Sequence, residues 1–204
     1  MCSSDLTYCA AYKVIAQYVG ELRGAGHAIT RLDIGGGMGV PYSSEAPFNA
    51  AGYAAVVEEV LGGLGCALAI EPGRYIVADA GVLLTSVIHL KKGAAHNFVV
   101  VDAAMNDLVR PAMYDAYHGI LPVQDAPLVL HADVVGPVCE SSDCFGTHRH
   151  LPALNPHDLV VLETAGAYGA VMSSVYNTRA LVPEVLVDGG QYAVIRERIE
   201  IDTQ

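Results

Sequence analysis

The sequence predicts an α/β segment joined to an all-β one. The expected architecture is the C-terminal units of a (β/α)8 TIM-like barrel over residues 1–80, then an antiparallel β-barrel or sandwich domain over residues 81–204. Three observations predict it. Helical and strand-like periodicities alternate as far as Ala80, the pattern of parallel helix–strand units. After Gly81, short β-rich runs follow one another between Gly, Pro and polar turns, as antiparallel sheets do. Finally, 204 residues cannot hold a β domain and a complete eight-stranded barrel, which takes about 250 residues by itself.

Residues 1–6 carry no periodic pattern and read as a junction. Over residues 8–22 the apolar side chains recur at helical spacing (Tyr12, Ile15, Ala16, Val19, Leu22), and Gly24-Ala25-Gly26 stops the helix. Residues 29–34 read as a buried strand that ends in Gly35-Gly36-Gly37. Residues 48–64 form a second helix with Glu58 and Glu59 on its wet face, stopped by Gly62-Gly63. Residues 67–71 are a second short strand. Two such units suit a parallel barrel or an open sheet. In the second half, residues 82–90, 97–102, 128–135, 158–164 and 182–187 are the predicted strands.

Composition narrows the function. A hydrophobic content of 52% is ample for a packed core. A net charge of −11 with only eleven Lys and Arg excludes a phosphate-tracking nucleic-acid face or an anionic membrane surface. No uncharged apolar run is long enough to cross a membrane, and no secretory leader is visible. Five irregularly spaced cysteines (Cys2, Cys9, Cys66, Cys139, Cys144) suit a reducing cytoplasm better than a disulfide framework. The eight histidines are scattered, without CxxC or HExxH spacing, so no metal site is expected.

Two strand ends carry the chemistry. Three consecutive glycines expose backbone N–H groups with no Cβ to block a phosphate oxygen, although turns use glycine too. Glu71 and Arg74 bring opposite charges to the second strand end, suited to an ionised ring and its phosphate, or to each other.

Five segments then appear in one order: LDIGGGMGVPY (32–42), EPGRYIVADAGVLLTSV (71–87), VDAAMNDLVRPAMYDAYH (101–118), VVGPVCESSDCFG (134–146) and GAYGAVMSSVYNTR (166–179). On them the chain resembles the pyridoxal-phosphate decarboxylases of the alanine-racemase-like fold type, fold type III. The CESSD and RPAMY elements favour the diaminopimelate branch over the ornithine and arginine branches. The resemblance implies decarboxylation of meso-2,6-diaminopimelate to L-lysine and carbon dioxide, with pyridoxal 5′-phosphate as cofactor.

It implies roles residue by residue. Gly35, Gly36 and Gly37 would hold the phosphate at the start of the following helix, with Gly73 and Arg74 also on the cofactor side. Glu71 would keep the ring nitrogen protonated. Tyr168 would add a hydroxyl donor to the phosphate. Arg74, Arg110 and Tyr114 would hold substrate carboxylates, and Glu140 would face the distal ammonium. Cys139 would be the catalytic proton donor, reaching the site from the partner subunit of a homodimer. Plainer readings stand beside these. Tyr168 could be a core tyrosine, Arg110-Pro111 a turn beside a surface arginine, and Asp102, Asn106 and Asp143 turn caps. His118 has no assigned role.

One element of the family pattern is missing. The family anchors its cofactor through a lysine in the first barrel strand, and the chain has only Lys13, Lys91 and Lys92. Lys13 sits mid-helix and snorkels to solvent; Lys91 and Lys92 lie at a strand end. The chain is therefore expected to be the C-terminal portion of such an enzyme, inactive by itself. The competing readings are a related decarboxylase acting on ornithine, arginine or carboxynorspermidine, and a catalytically silent relative that dimerises with an intact one.

Overall fold

α1 (Ser3–Gly24) realises the first helical run and extends it to both sides. The computed structural model describes residues 3–201, with the side chains of residues 7–201. Met1, Cys2 and the last three residues lie outside the described ones. The junction predicted for residues 1–6 falls partly on Met1 and Cys2, and from Ser3 onward the chain is helix instead. The chain divides into two units, Met1–Pro41 with Glu45–Tyr75, and Tyr42–Ser44 with Ile76–Gln204.

In the first unit β1 (Arg31–Asp33) pairs in parallel with β2 (Ala67–Ala69), Leu32 opposite Leu68. Between them runs α2 (Ala50–Leu61), whose N-cap Asn49 side chain accepts the Gly52 N–H at 2.9 Å. As predicted, the α-helix stops at the glycines, with Gly62 as its C-cap, although Gly62 keeps a right-handed backbone at φ −57°. Gly62–Leu64 continue as a 3-10 turn, and the left-handed residue that ends it is Gly65, at φ +62°. Tyr12, Ile34, Met38, Tyr53, Val56 and Leu61 form the core, with Tyr12 Oη donating to Tyr53 Oη at 2.9 Å. β1, predicted to be a buried strand, is largely exposed, because it lies in a sheet of only two strands among the described residues.

The second unit is built on a six-stranded sheet of β3 (Leu83–Lys92), β4 (Asn97–Val101), β5 (Ile120–Pro122), β6 (Leu128–Val135), β7 (Cys144–Pro152) and β8 (Leu159–Leu162). Its order is β5-β8-β3-β4-β6-β7. The expectation of an antiparallel domain is corrected here: the sheet is mixed, because β4 and β6 run parallel, with Phe98 opposite Asp133. The long connection 102–127 makes that possible, since parallel neighbours need a crossover of a dozen residues or more. The edge strands β5 and β7 touch, so the sheet is nearly closed. Val87, Val99, Val101, Leu108, Leu151 and Leu162 fill its interior. A separate hairpin, β9 (Glu184–Asp188) and β10 (Gln191–Arg196), turns at Gly189-Gly190.

Candidate active site

In the first unit the two strand ends are tied together. Glu71 N–H donates to the Gly35 carbonyl at 2.8 Å, and Gly73 N–H to the Glu71 carbonyl at 2.9 Å. Gly35 and Gly37 have left-handed backbones, at φ +71° and +81°. Between them, a Cβ on Gly36 would fall on the Glu71 carbonyl oxygen. Glycine is therefore required at all three positions, for two different reasons. Gly35 N–H is already taken by Asp33 Oδ1 at 2.8 Å. The amides of Gly36 and Gly37 have no hydrogen-bond partner among the described residues.

No helix starts at the glycines, contrary to expectation; α2 begins only at Ala50. Gly73 and Arg74 instead open α3 (Gly73–Val77), a short helix. Glu71 and Arg74 are both exposed and form no ion pair with each other among the described residues.

In the second unit Arg110 and Tyr114 bound α4 (Arg110–Tyr114), the RPAMY element, which ends at left-handed Asp115. Four residues apart, they share a helix face, yet Arg110 is 6% exposed and Tyr114 60%. The Arg110 guanidinium has no carboxylate partner among the described residues. It is held instead by His118, Nη1 to Nε2 at 3.0 Å, and lies over the Tyr42 ring, 4.6 Å from its centroid. His118 is fully buried. Its Nδ1 lies 2.8 Å from the Glu163 carbonyl, so the ring donates from Nδ1 and accepts Arg110 at Nε2. Burial pushes the His118 pKa down, and the Arg110 charge adds to that. Sequence reasoning left His118 unassigned because a lone histidine eight residues after an arginine carries no signal of its own.

Cys139 and Glu140 lie exposed in the β6–β7 connection. Asp143 builds that loop: its carboxylate accepts Val138 N–H at 2.8 Å and Met105 N–H at 2.7 Å. Its carbonyl accepts Gly136 N–H at 3.0 Å. Burial raises the Asp143 pKa, against the lowering effect of those amides. Glu140 Oε1 accepts both the N–H and the hydroxyl of Ser142, at 3.2 and 3.1 Å. No hydrogen bond or ion pair joins Arg110, Tyr114, Cys139 and Glu140 to one another among the described residues.

Tyr168, 40% exposed, holds a left-handed backbone at φ +66°, a strained state for a bulky residue. The glycines beside it permit the path. A Cβ on Gly166 would fall on the Val77 carbonyl, and one on Gly169 would crowd the Ala165 carbonyl at 2.5 Å. Another buried polar group left unassigned from sequence is Asp107, which pairs with Arg179 at 3.7 Å.

A cavity of about 940 Å³ lies in the second unit and is lined by Tyr117, Ile120, Phe145, Arg149 and Glu163 among others. None of the predicted site residues lines it. It fills the seam where β5 and β7 fail to pair, and Pro111 and Ala112 of α4, Ser142 and Glu163 form part of its wall.

A family model described as "Pyridoxal-dependent decarboxylase, C-terminal sheet domain" matches residues 10–166. The chain belongs to the pyridoxal-dependent decarboxylases. This family member is 44% identical over 205 residues to the diaminopimelate decarboxylase of Zymomonas mobilis, covering 98% of the chain and 49% of the relative. To that of Pseudomonas aeruginosa it is 49% identical over 183 residues, covering 88% and 43%. Among solved structures, the Helicobacter pylori diaminopimelate decarboxylase complexed with L-lysine superposes with a TM-score of 0.90 at 39% identity, over 96% of the chain and 48% of that structure. The diaminopimelate decarboxylase from M. jannaschii, in co-complex with L-lysine, gives 0.92 at 32% identity, over 98% and 47%. The chain thus spans about half the length of the curated relatives it matches.

Proposed function

We propose that the protein containing this decarboxylase-family chain converts meso-2,6-diaminopimelate to L-lysine and carbon dioxide. The observation that carries the reading is Arg110: a buried guanidinium that no carboxylate of the described residues neutralises. Burying an unpaired charge is costly, and a carboxylate-bearing ligand removes that cost. The identities to diaminopimelate decarboxylases support the same substrate.

The residues fit pyridoxal 5′-phosphate. The amides of Gly36 and Gly37 are free to cradle its phosphate, and a side chain on Gly36 would collide with the Glu71 backbone. Gly35 contributes conformation rather than a donor, since Asp33 holds its N–H. Gly73 and Arg74 stand beside them on the next strand end, and Tyr168 adds its hydroxyl. Glu71 carries the charge that keeps a pyridine nitrogen protonated. Bound there, the cofactor supplies the electron sink for loss of a carboxylate from an amino-acid α-carbon.

The remaining roles belong to the second unit's residues, with Arg74. Arg74, Arg110 and Tyr114 hold substrate carboxylates. Glu140 meets the distal ammonium. Cys139 Sγ delivers the proton to the α-carbon. Cys139 is exposed and the β9–β10 hairpin presents Val187, Tyr192 and Ile195 to solvent, between 61% and 78% exposed. Both features support a homodimer in which each subunit lends Cys139 to the other. Residues 1–80 are read as the last units of a TIM-like barrel and 81–204 as the β domain, in a cytoplasmic enzyme. Among the described residues, no helix is long and apolar enough to cross a membrane.

Lys13, Lys91 and Lys92 are all exposed, so the lysine anchor is assigned to none of them. The test is borohydride reduction of the chain with pyridoxal phosphate, followed by mass spectrometry. No stoichiometric adduct on these three lysines is expected. Lysine formation should then appear when the lysine-bearing half of a relative is supplied in trans. A substrate panel of meso-diaminopimelate, ornithine, arginine and carboxynorspermidine decides specificity; turnover of any of the last three in preference to the first overturns the assignment.

A further inference from the structure

Histidines scattered along the sequence converge on one patch of the mixed sheet. His96 lies in the β3–β4 turn, where its carbonyl accepts Gly93 N–H at 3.0 Å. His131 and Asp133 are on β6, His148 and His150 on β7. The parallel β4–β6 pairing places the start of β4 beside His131 and Asp133, and β6–β7 pairing sets His131 opposite His150.

From this convergence we infer that His96, Asp133 and His148 form a binding site for a divalent transition cation of the Zn²⁺ class. One ligand atom from each lies within 4.8 Å of the others, and His96 Nδ1 is 3.7 Å from Asp133 Oδ2. Ligands about 2.0–2.2 Å from a tetrahedral zinc stand roughly 3.3–3.6 Å apart. The closure needed is a few tenths of an ångström at His96–Asp133 and at most roughly 1.2–1.5 Å at the widest pair. It falls on two exposed imidazoles, and chiefly on His96, which sits in a turn.

Two further features show preparation for a ligand. Asp133 Oδ1 accepts the His148 N–H at 2.7 Å, which fixes the carboxylate and leaves Oδ2 toward His96. A carboxylate oriented through its other oxygen is the usual outer support of a metal ligand. His148 itself has a left-handed backbone, at φ +53°, at a point where the β6–β7 register slips between Ala132 and Val134. That bulge re-aims the side chain out of the strand's alternation. His131 stacks against the His148 ring at 5.5 Å and 21°, which limits its rotation. A plain His96–Asp133 surface ion pair accounts for none of this and contributes little by itself.

The donor set selects the metal. Two imidazoles and one carboxylate favour Zn²⁺, Co²⁺, Ni²⁺ or Cu²⁺ over Mg²⁺ and Ca²⁺, which take oxygen ligands. Three protein ligands leave a position for water. The site shares no residue with the proposed decarboxylation machinery, so it stands or falls separately from that reading.

The test is calorimetric titration of Zn²⁺ into the full chain, its accessible thiols first blocked with iodoacetamide so that cysteines do not compete. One equivalent is expected to bind, with Mg²⁺ giving no heat. Both His96→Ala and Asp133→Asn should weaken binding by roughly tenfold or more, the lower end of what loss of even an outer-shell partner costs. His96 is exposed in a turn, so its variant keeps the fold even if Asp133→Asn disturbs β7; matching far-ultraviolet dichroism verifies that. Absence of Zn²⁺ binding, or binding that His96→Ala leaves unchanged, overturns the site.

Discussion

Arg110 is held in place by His118 at 3.0 Å, a cation against a neutral imidazole that is itself fixed by the Glu163 carbonyl at 2.8 Å. The pairing lets a buried guanidinium keep one donor satisfied without neutralising its charge. A carboxylate in the same place would have quenched it. In the proposed decarboxylase His118 is thus a positioning residue, preserving Arg110 for an external carboxylate. His118→Ala leaves an Arg110 donor unmet and should lower stability by about 1–3 kcal/mol. It should also raise KM for meso-diaminopimelate more than it lowers kcat, and His118→Gln should recover part of the loss. Equal falls in kcat with unchanged KM would contradict the positioning role.

The same residue sets a pH dependence. The folded pKa of His118 lies below the 6.5 of the free side chain, so the unfolded chain binds the proton more tightly. Its contribution to stability is complete above about pH 6.5 and is lost as pH falls through the lowered folded value. Thermal midpoints measured downward from pH 7.5 should decline over that range, and the decline should be shallower in His118→Gln.

Gly36→Ala places a methyl on the Glu71 carbonyl. Backbone on both sides resists movement, so the cost should be about 1–3 kcal/mol, as for other overpacked sites. Urea denaturation measures it. Pyridoxal phosphate binding, followed by its absorbance, should weaken in the same variant.

Cys139→Ala separates chemistry from folding. The thiol is exposed, so stability should stay within about 0.5 kcal/mol of wild type. Activity of the complemented enzyme should fall by about 10²- to 10⁴-fold, the range for loss of a general acid. Denaturation curves and single-turnover rates together test the pair of expectations.

Asp143→Ala removes the acceptor of the Val138 and Met105 amides at once. Hydrogen exchange at those two amides should accelerate well beyond that of the β6 and β7 ladders. Iodoacetamide should then modify Cys139 at an altered rate, since its loop has lost the group that shapes it.

Much of this was legible in the sequence, and the failures have physical causes. Strands with plain apolar runs, such as β6 (Leu128–Val135), are readable to the residue. β7 (Cys144–Pro152) is not, because THRH at its centre has no apolar alternation; its pairing is decided by neighbours. The parallel β4–β6 contact depends on how residues 102–127 cross over, and no local pattern encodes that. At the site, glycine and arginine motifs announce themselves. His118 and Asp143 act by holding other residues, so their importance resides in contacts across the chain. The histidine patch had one faint signal: His131-x-Asp133 and His148-x-His150 each put two ligand-type residues two apart on a strand.

The parallel seam between β4 and β6 also dictates an order of assembly. β3–β4 and β6–β7 are antiparallel hairpins whose partners are close in sequence, and hairpins close in microseconds. Joining them requires the whole 102–127 segment to be laid down first, with α4 and the Arg110–His118 contact inside it. Closing that seam, like the still longer-range β3–β8 pairing, is slower than closing either hairpin, and it brings the Arg110–His118 contact into place. In the proposed decarboxylase, a sheet with that seam still open has yet to build the Arg110–His118 contact proposed to receive a carboxylate.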